Sequence, residues 1–461
     1  MRSAFSTLVN SVITVVVVFF IISQFKQPEP TTSEIEFSNA AREFWSERLQ
    51  NLVFSVPIEN IADYDYTFPG HDLESEEPEE FGTRTISYPP VNSRFLASNQ
   101  VYHGSLSVAS SRLLDESLNF YEEDVSQIRE YYYSYVLPVS EKPHRFRFTH
   151  LDLLSFQQAR PFQKQSISYT YREDLVVNAL ITQFKLAHLL LKDTGSDFQT
   201  VAIIPGAIPE NLQNRGIAGR RQSIEQVARN IIDAVRQLKV DYPEAKIRVL
   251  IENSFPADDR FTPGQLICVD LAECLSLKDE IIRQNRFAGN PITEPDSQVG
   301  LIINTAALFA SWQDKASSSY KNNANTPLAL FQFFNNLKEE LEGNNQSIQA
   351  LKVSYAQQGE NPRLESFYLN RPFSRAMRSQ DAFLQLRLAT FFFNEAMLGN
   401  RGQENFLSAD FTPARRFSLI HEFFFPVADS LNLYYDKEGA GEWEQSYSLD
   451  LIKHFLIKNT L

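Results

Sequence analysis

Cysteine, histidine and net positive charge are all scarce in this chain, and each scarcity removes a class of explanation. Two cysteines, Cys268 and Cys274, in 461 residues build no disulfide framework. Their offset allows one bridge in a loop, although sparse cysteines are ordinary thiols as a rule. Lys and Arg number 43 against 57 Asp and Glu, a formal charge of −14. No overall field draws such a chain to nucleic acid, and a nucleic-acid partner is not expected. No Gly-x-Gly-x-x-Gly follows a strand-like run, which withholds support from a dinucleotide fold. Histidine is the most informative shortage. The seven are His71, His103, His144, His150, His188, His421 and His454, and none lies between 189 and 420.

What the chain does have is apolar mass: 43% hydrophobic residues, 37 of them Phe. That is enough for one large core or for a partner surface. Ser3 to Phe25 carries no charge, and its centre runs from Val12 to Ile22 almost without a polar residue. About 20 apolar residues span a bilayer as a helix. The run ends Ser23-Gln24-Phe25-Lys26, which lacks a small-x-small cleavage site. An uncleaved single-pass membrane anchor is expected over residues 1–26, with a cleaved signal peptide as the rival. Arg2 and Lys26 flank it and specify its orientation weakly. Residues 27–95 read as an acidic linker or wrapping arm, with Pro28, Pro30, the run Glu74 to Glu80 and Pro89-Pro90. Within it, Phe44 to Val56 is expected to form a helix that docks on the main domain.

From residue 96 short apolar runs alternate with longer amphipathic ones. The strand candidates are Gln100 to His103, Tyr131 to Leu137, Arg145 to His150, Val201 to Ile204, Ile247 to Glu252, Val299 to Asn304, Ala350 to Ser354 and Phe417 to Glu422. Helices are expected between them, for example Val176 to Leu191, Ser223 to Leu238, Leu328 to Leu341 and Ala382 to Met397, where apolar residues recur at three and four. Alternation of this kind implies parallel pairing. The fold class expected is α/β, a (β/α)8 barrel of the TIM type over 96–461, with a doubly wound open sheet as competitor. Functional residues of such barrels sit at the carboxyl ends of strands. That rule selects His150, Pro205-Gly206, Glu252-Asn253, Asn304-Thr305, Ser354 and Glu422. His103 would also line the mouth if it ended the first strand.

The same positions carry a resemblance. Val201-Ala202-Ile203-Ile204-Pro205-Gly206, then Val249-Leu250-Ile251-Glu252-Asn253, then Gly300-Leu301-Ile302-Ile303-Asn304-Thr305-Ala306-Ala307 come in the order of three motifs of the endonuclease IV family and the related xylose isomerase-like sugar isomerases and epimerases. Those motifs are His-Pro-Gly, Ile-Glu-Asn and Asp-Thr-x-His. Arg147 to His150 is similar to a strand ending in a metal-binding His, and Leu419 to Glu422 to the final strand ending in a metal-binding Glu. The departures matter as much. Ile204 stands for the first His, Asn304 and Ala307 for the Asp and His, and Ser354 ends the strand expected to end in His.

The resemblance implies a divalent cation at the mouth, and the residues present supply it poorly. At best His150, Glu252 and Glu422 remain for a zinc cluster, too few to hold several ions or to generate hydroxide. For the one-cation site of sugar isomerases the equivalents are Glu252, Asn304, Ser354 and Glu422, an oxygen set that would take Mg2+ or Ca2+ weakly. Glu252 and Glu422 could otherwise form an acid/base pair. Arg220 and Arg221, with Arg215 nearby, could clasp a phosphate, and Asn253 and Asn304 could line a ligand site. Arginines on loops are more often solvated. The first expectation is therefore a membrane-anchored barrel that has lost its metal site, needs no cofactor, and has a binding or scaffold role with protein partners. The second is a single-metal sugar or phosphosugar isomerase or hydrolase working through Glu252 and Glu422.

Overall fold

The computed structural model describes residues 52–57, 103–108, 118–134, 136–137, 144–154, 168–171, 174–192, 197–254, 263–319, 327–353, 355–358, 368–371, 385–392 and 417–421, with the single positions 114 and 395. Eight strands close into a barrel: β1 (Leu52–Pro57), β2 (His103–Ser107), β3 (Arg147–Asp152), β4 (Gln199–Ile203), β5 (Ile247–Glu252), β6 (Val299–Asn304), β7 (Ile348–Val353) and β8 (Phe417–His421). Each pairs in parallel with its neighbour in sequence, and β8 returns to β1 with Phe417 opposite Leu52. Closure leaves no sheet edge exposed.

Among the described residues the longer helices outside the barrel are α1 (Glu122–Ser134), α2 (Asp174–Leu191), α3 (Ile217–Asp241), α4 (Leu271–Phe287), α5 (Thr305–Ser319) and α6 (Pro327–Leu341), and residues 385–392 are also helical. Their apolar faces bury against the outward residues of the strands. On α2 the buried residues Val176, Leu180, Phe184, Ala187 and Leu191 recur at the spacing that puts them on one stripe. By length and composition α2 alone among the described helices could cross a membrane, but just over half of it is buried inside the protein, as a core helix is. The expected anchor at 1–26 lies outside the described residues.

Three sequence expectations are corrected. Leu52 to Val56, the last part of the expected docking helix Phe44 to Val56, belongs to the barrel strand Leu52–Pro57, so the barrel takes in chain well before residue 96. The alternation of this segment puts Ser55 fully buried, bonded to Thr149 at 2.8 Å. Tyr131 to Ser134, expected as strand, ends α1. Val125, Ile128 and Tyr132 share its buried face at helical spacing, which overrides the strand preference of a tyrosine run. His103 begins β2 rather than ending a strand, so it stands at the opposite end of the barrel from the mouth. The cysteines are both free and both buried.

Inside the barrel the strands alternate in and out. Ala202, Leu250, Ile302 and Ala350 form one apolar layer. Two residues further along, on the same inward parity, stand Glu252, Asn304 and Lys352.

Candidate functional site

The polar layer at the carboxyl ends of β3, β5, β6 and β7 is organised around an ammonium group. Lys352 Nζ lies 2.8 Å from Glu252 Oε2 and 3.5 Å from Asp152 Oδ1. The lysine side chain is 2% exposed and the two carboxylates 4% and 10%. Charges this deep are tolerable only when paired and hydrogen-bonded. The second oxygen of Glu252 accepts a bond from Asn304 Nδ2 at 3.0 Å, which fixes the carboxylate from both sides. Burial by itself would raise the Asp152 carboxyl, but the attraction of Lys352, with that of His150, outweighs it and holds the group well below the usual carboxylate range.

Local sequence explains how these side chains arrive here. Asn304 is the residue before α5, and its Oδ1 accepts from Ala307 N at 3.1 Å, so it caps the helix. Asn253 Oδ1 accepts from Asn304 N at 2.7 Å and its Nδ2 donates to Asn304 O at 2.9 Å. This doubled bond prolongs the β5–β6 pairing past the last strand residues. On β3 the register against β2 shifts: Phe148 pairs with Gly104 and His150 with Ser105, leaving Thr149 as the extra residue of a bulge. The bulge lets Thr149 Oγ1 reach both Gly104 O at 3.1 Å and His150 Nδ1 at 2.9 Å. The same hydroxyl meets Ser55 Oγ at 2.8 Å, so Thr149 joins β1, β2 and β3 beside His150. Nε2 meets Asp152 Oδ1 at 3.4 Å without forming a hydrogen bond. Among the described residues Nε2 and Ser105 Oγ are the buried side-chain polar atoms left without a hydrogen-bond partner.

Among the described residues the donor set at this mouth does not fit a divalent cation. The ammonium sits between Asp152 and Glu252, and Asn304 turns its NH2 rather than its carbonyl oxygen toward Glu252. Among the described residues no group of three or more His, Cys, Asp or Glu is placed to hold a metal ion. Asn304, expected to offer an oxygen to Mg2+ or Ca2+, has that oxygen bonded to Ala307 N. Ser354 and Glu422 lie outside the described residues, so the expected pair of glutamates rests on Glu252 alone.

The arginines of the expected phosphate clasp have protein partners. Arg220 lies on α3 and binds both oxygens of Glu273, with Nη2 to Oε2 at 2.7 Å, while donating to Gly264 O and Leu266 O at 2.8 and 2.6 Å. That side chain is spent on tying the segment before α4 to α3. Arg221 is exposed and pairs with Glu225 one turn along. Arg220 and Arg221 are on helix, not loop, because α3 begins at Ile217.

Sequence reasoning brought Glu252, Asn253, Asn304 and His150 to one end of the barrel and missed Lys352, Asp152 and Thr149. Lys352 had a signal: a lysine two residues after Ala350, on the inward parity of its strand. Asp152 stands two after His150 in the same way.

No family model matches the chain, and no curated protein matches it. Among solved structures it is similar to a D-tagatose 3-epimerase-like protein, at 10% identity and a TM-score of 0.38 over 78% of this chain and 91% of that one. It is likewise similar to a protein assigned as a sugar phosphate isomerase/epimerase from Anabaena variabilis, at 10% identity and a TM-score of 0.40 over 80% and 90%. At such values nothing of their chemistry transfers to this chain.

Proposed function

We propose that this chain is a membrane-tethered barrel whose mouth carries its own cation, and that it serves as a binding or structural component of a membrane-associated assembly without a divalent metal. The observation that carries this reading is the Lys352 ammonium, 2.8 Å from Glu252 and 3.5 Å from Asp152, in the place where the resemblance calls for a metal. The tether rests on the uncharged run Ser3 to Phe25. Elemental analysis of purified full-length protein tests the first part: no stoichiometric Zn, Mn, Mg or Ca, and no change in melting temperature with chelator. A bound metal that raises the melting temperature overturns it. Carbonate extraction tests the second part. Full-length protein should stay with membranes, and a chain beginning near residue 30 should not. Full-length protein found free in solution with its N-terminus intact removes the anchor.

A second reading keeps an enzyme, a sugar or phosphosugar isomerase or hydrolase using Glu252 and Glu422. It is favoured by one feature, a fixed carboxylate within proton-transfer distance of a nitrogen at the functional end of the barrel. Loss of turnover in Glu252→Gln, with the fold intact, would select it.

A further inference from the structure

We propose that Lys352 is a nucleophilic amine, and that the barrel mouth captures a small neutral aldehyde or ketone as an imine on its Nζ. This rests on the ammonium, and not a metal, being the resident cation of the mouth. Three observations carry it. The amine has its proton acceptor in place: Glu252 Oε2 is 2.8 Å away, and the other oxygen is held by Asn304. The polar network is incomplete, because Ser105 Oγ is buried with no hydrogen-bond partner and His150 Nε2, also without one, has only its 3.4 Å ion-pair contact with Asp152. These two residues are opposite one another in the β2–β3 register, so they project on the same side, and Nε2 contacts the same Asp152 oxygen that faces Lys352. Finally, an ion pair at this depth adds little stability over apolar side chains of similar volume, and Ala202, Leu250, Ile302 and Ala350 pack as hydrocarbon beneath it. A structural plug needs neither the lysine nor two unmet polar atoms; a site that receives a polar ligand uses both.

Charge selects the ligand class. Among the described residues Asp152 and Glu252 are met by the Lys352 ammonium and the His150 imidazole, which leaves no surplus positive charge there for a carboxylate or phosphate group. A neutral carbonyl compound bearing a hydroxyl fits, with the hydroxyl offered to Ser105 and His150. The step balances within the site. Glu252 takes one proton from the Lys352 ammonium, and the free amine attacks the carbonyl carbon, forming the C–N bond. Proton transfer from nitrogen to oxygen gives the neutral carbinolamine. Glu252 then returns its proton to the carbinolamine hydroxyl, which leaves as water and yields the protonated imine.

The test is reductive trapping on the full-length protein. It is incubated with dilute glycolaldehyde or dihydroxyacetone and sodium borohydride, which saturates the C=N bond, then digested and mapped by mass spectrometry. The expected result is close to one adduct per chain on the Lys352 peptide, at probe concentrations where exposed lysines such as Lys338 are modified at least tenfold less. Omission of borohydride should abolish the adduct. Lys352→Met and Lys352→Arg should each lose it while background labelling persists, and mapping of the parent decides the matter where a variant does not fold. Labelling spread over surface lysines with no enrichment at Lys352 overturns the proposal. Metal binding measured on the same preparation separates the two ideas. Metal at the mouth defeats both, whereas no metal and no adduct defeats the imine alone.

Discussion

Ala202, Leu250, Ile302 and Ala350 fill one layer of the barrel interior with hydrocarbon, and two residues further along three of those strands stand Glu252, Asn304 and Lys352. The lower layer is stabilised additively, each side chain by the area it removes from water. The upper layer is stabilised only as a set. Lys352 without its carboxylates, or the carboxylates without Lys352, would be a buried uncompensated charge. One barrel therefore has a tolerant floor and an all-or-none mouth, and the contrast makes measurable demands.

The largest effect should come from Lys352→Met. It leaves Asp152 and Glu252 buried without the ammonium they share, and should cost about 3–5 kcal/mol in denaturant unfolding. The triple variant Lys352→Met, Asp152→Asn, Glu252→Gln should recover most of that loss, since it removes the charges together. A triple variant as unstable as the single one would mean that packing, not charge, holds the mouth. Leu250→Ala in the floor should cost about 2–4 kcal/mol through the cavity it leaves, and its cost should be the same at pH 7 and pH 5.

Acid should act on the mouth and spare the floor. The Asp152 carboxyl is held low in the folded chain, whereas the unfolded chain binds that proton near its ordinary value, about 3.9. The unfolded state therefore takes up the proton first on acidification. The contribution of Asp152 is fully present above about pH 5 and is lost as pH falls below about 4 toward the folded value. Removing Lys352 should reverse the sign. Burial then dominates, the Asp152 carboxyl rises above its ordinary value, and Lys352→Met should regain stability relative to the parent between about pH 7 and pH 4. Urea midpoints of both proteins at pH 7 and pH 5 decide this. A gap that stays constant removes the coupling between Lys352 and Asp152.

The floor was more legible in the sequence than the mouth, for a physical reason. β5 and β6 are continuous apolar runs ending in a polar residue, and their bounds, Ile247–Glu252 and Val299–Asn304, coincide with the expected ones. β1 escaped notice because it is a short strand inside a proline-rich acidic stretch, and what makes it a strand is pairing with β8 and β2, far away in sequence. At the mouth, the carboxyl-end rule found His150, Glu252 and Asn304 without help. Lys352 was hidden because a metal site was expected there, and a lysine does not read as a ligand. Its meaning depends on Asp152, 200 residues away, and no spacing in the sequence announces that contact. The bulge at Thr149 is equally silent, since it exists only in the register between two strands.

The smallest effects belong to two adjacent arginines on α3. Both were candidates for a phosphate clasp, and their surroundings now separate them. Arg220 is about three-quarters covered, grips both oxygens of Glu273, and holds two backbone carbonyls of the segment before α4. Glu273 also accepts from Cys268 N at 3.0 Å, where the chain takes a positive φ of 59°. Arg220→Ala therefore unties a turn that a non-glycine residue adopts reluctantly, and should cost about 1–3 kcal/mol. Arg221 is 79% exposed and pairs with Glu225, one turn away. Solvent screens such a pair, so Arg221→Ala should change stability by less than about 0.5 kcal/mol. Urea unfolding of the two variants side by side, at low and high salt, distinguishes a tie from a clasp. If Arg221→Ala proves the costlier of the two, or if inorganic phosphate stabilises the parent and not Arg220→Ala, then Arg220 is not committed to Glu273 and the clasp returns.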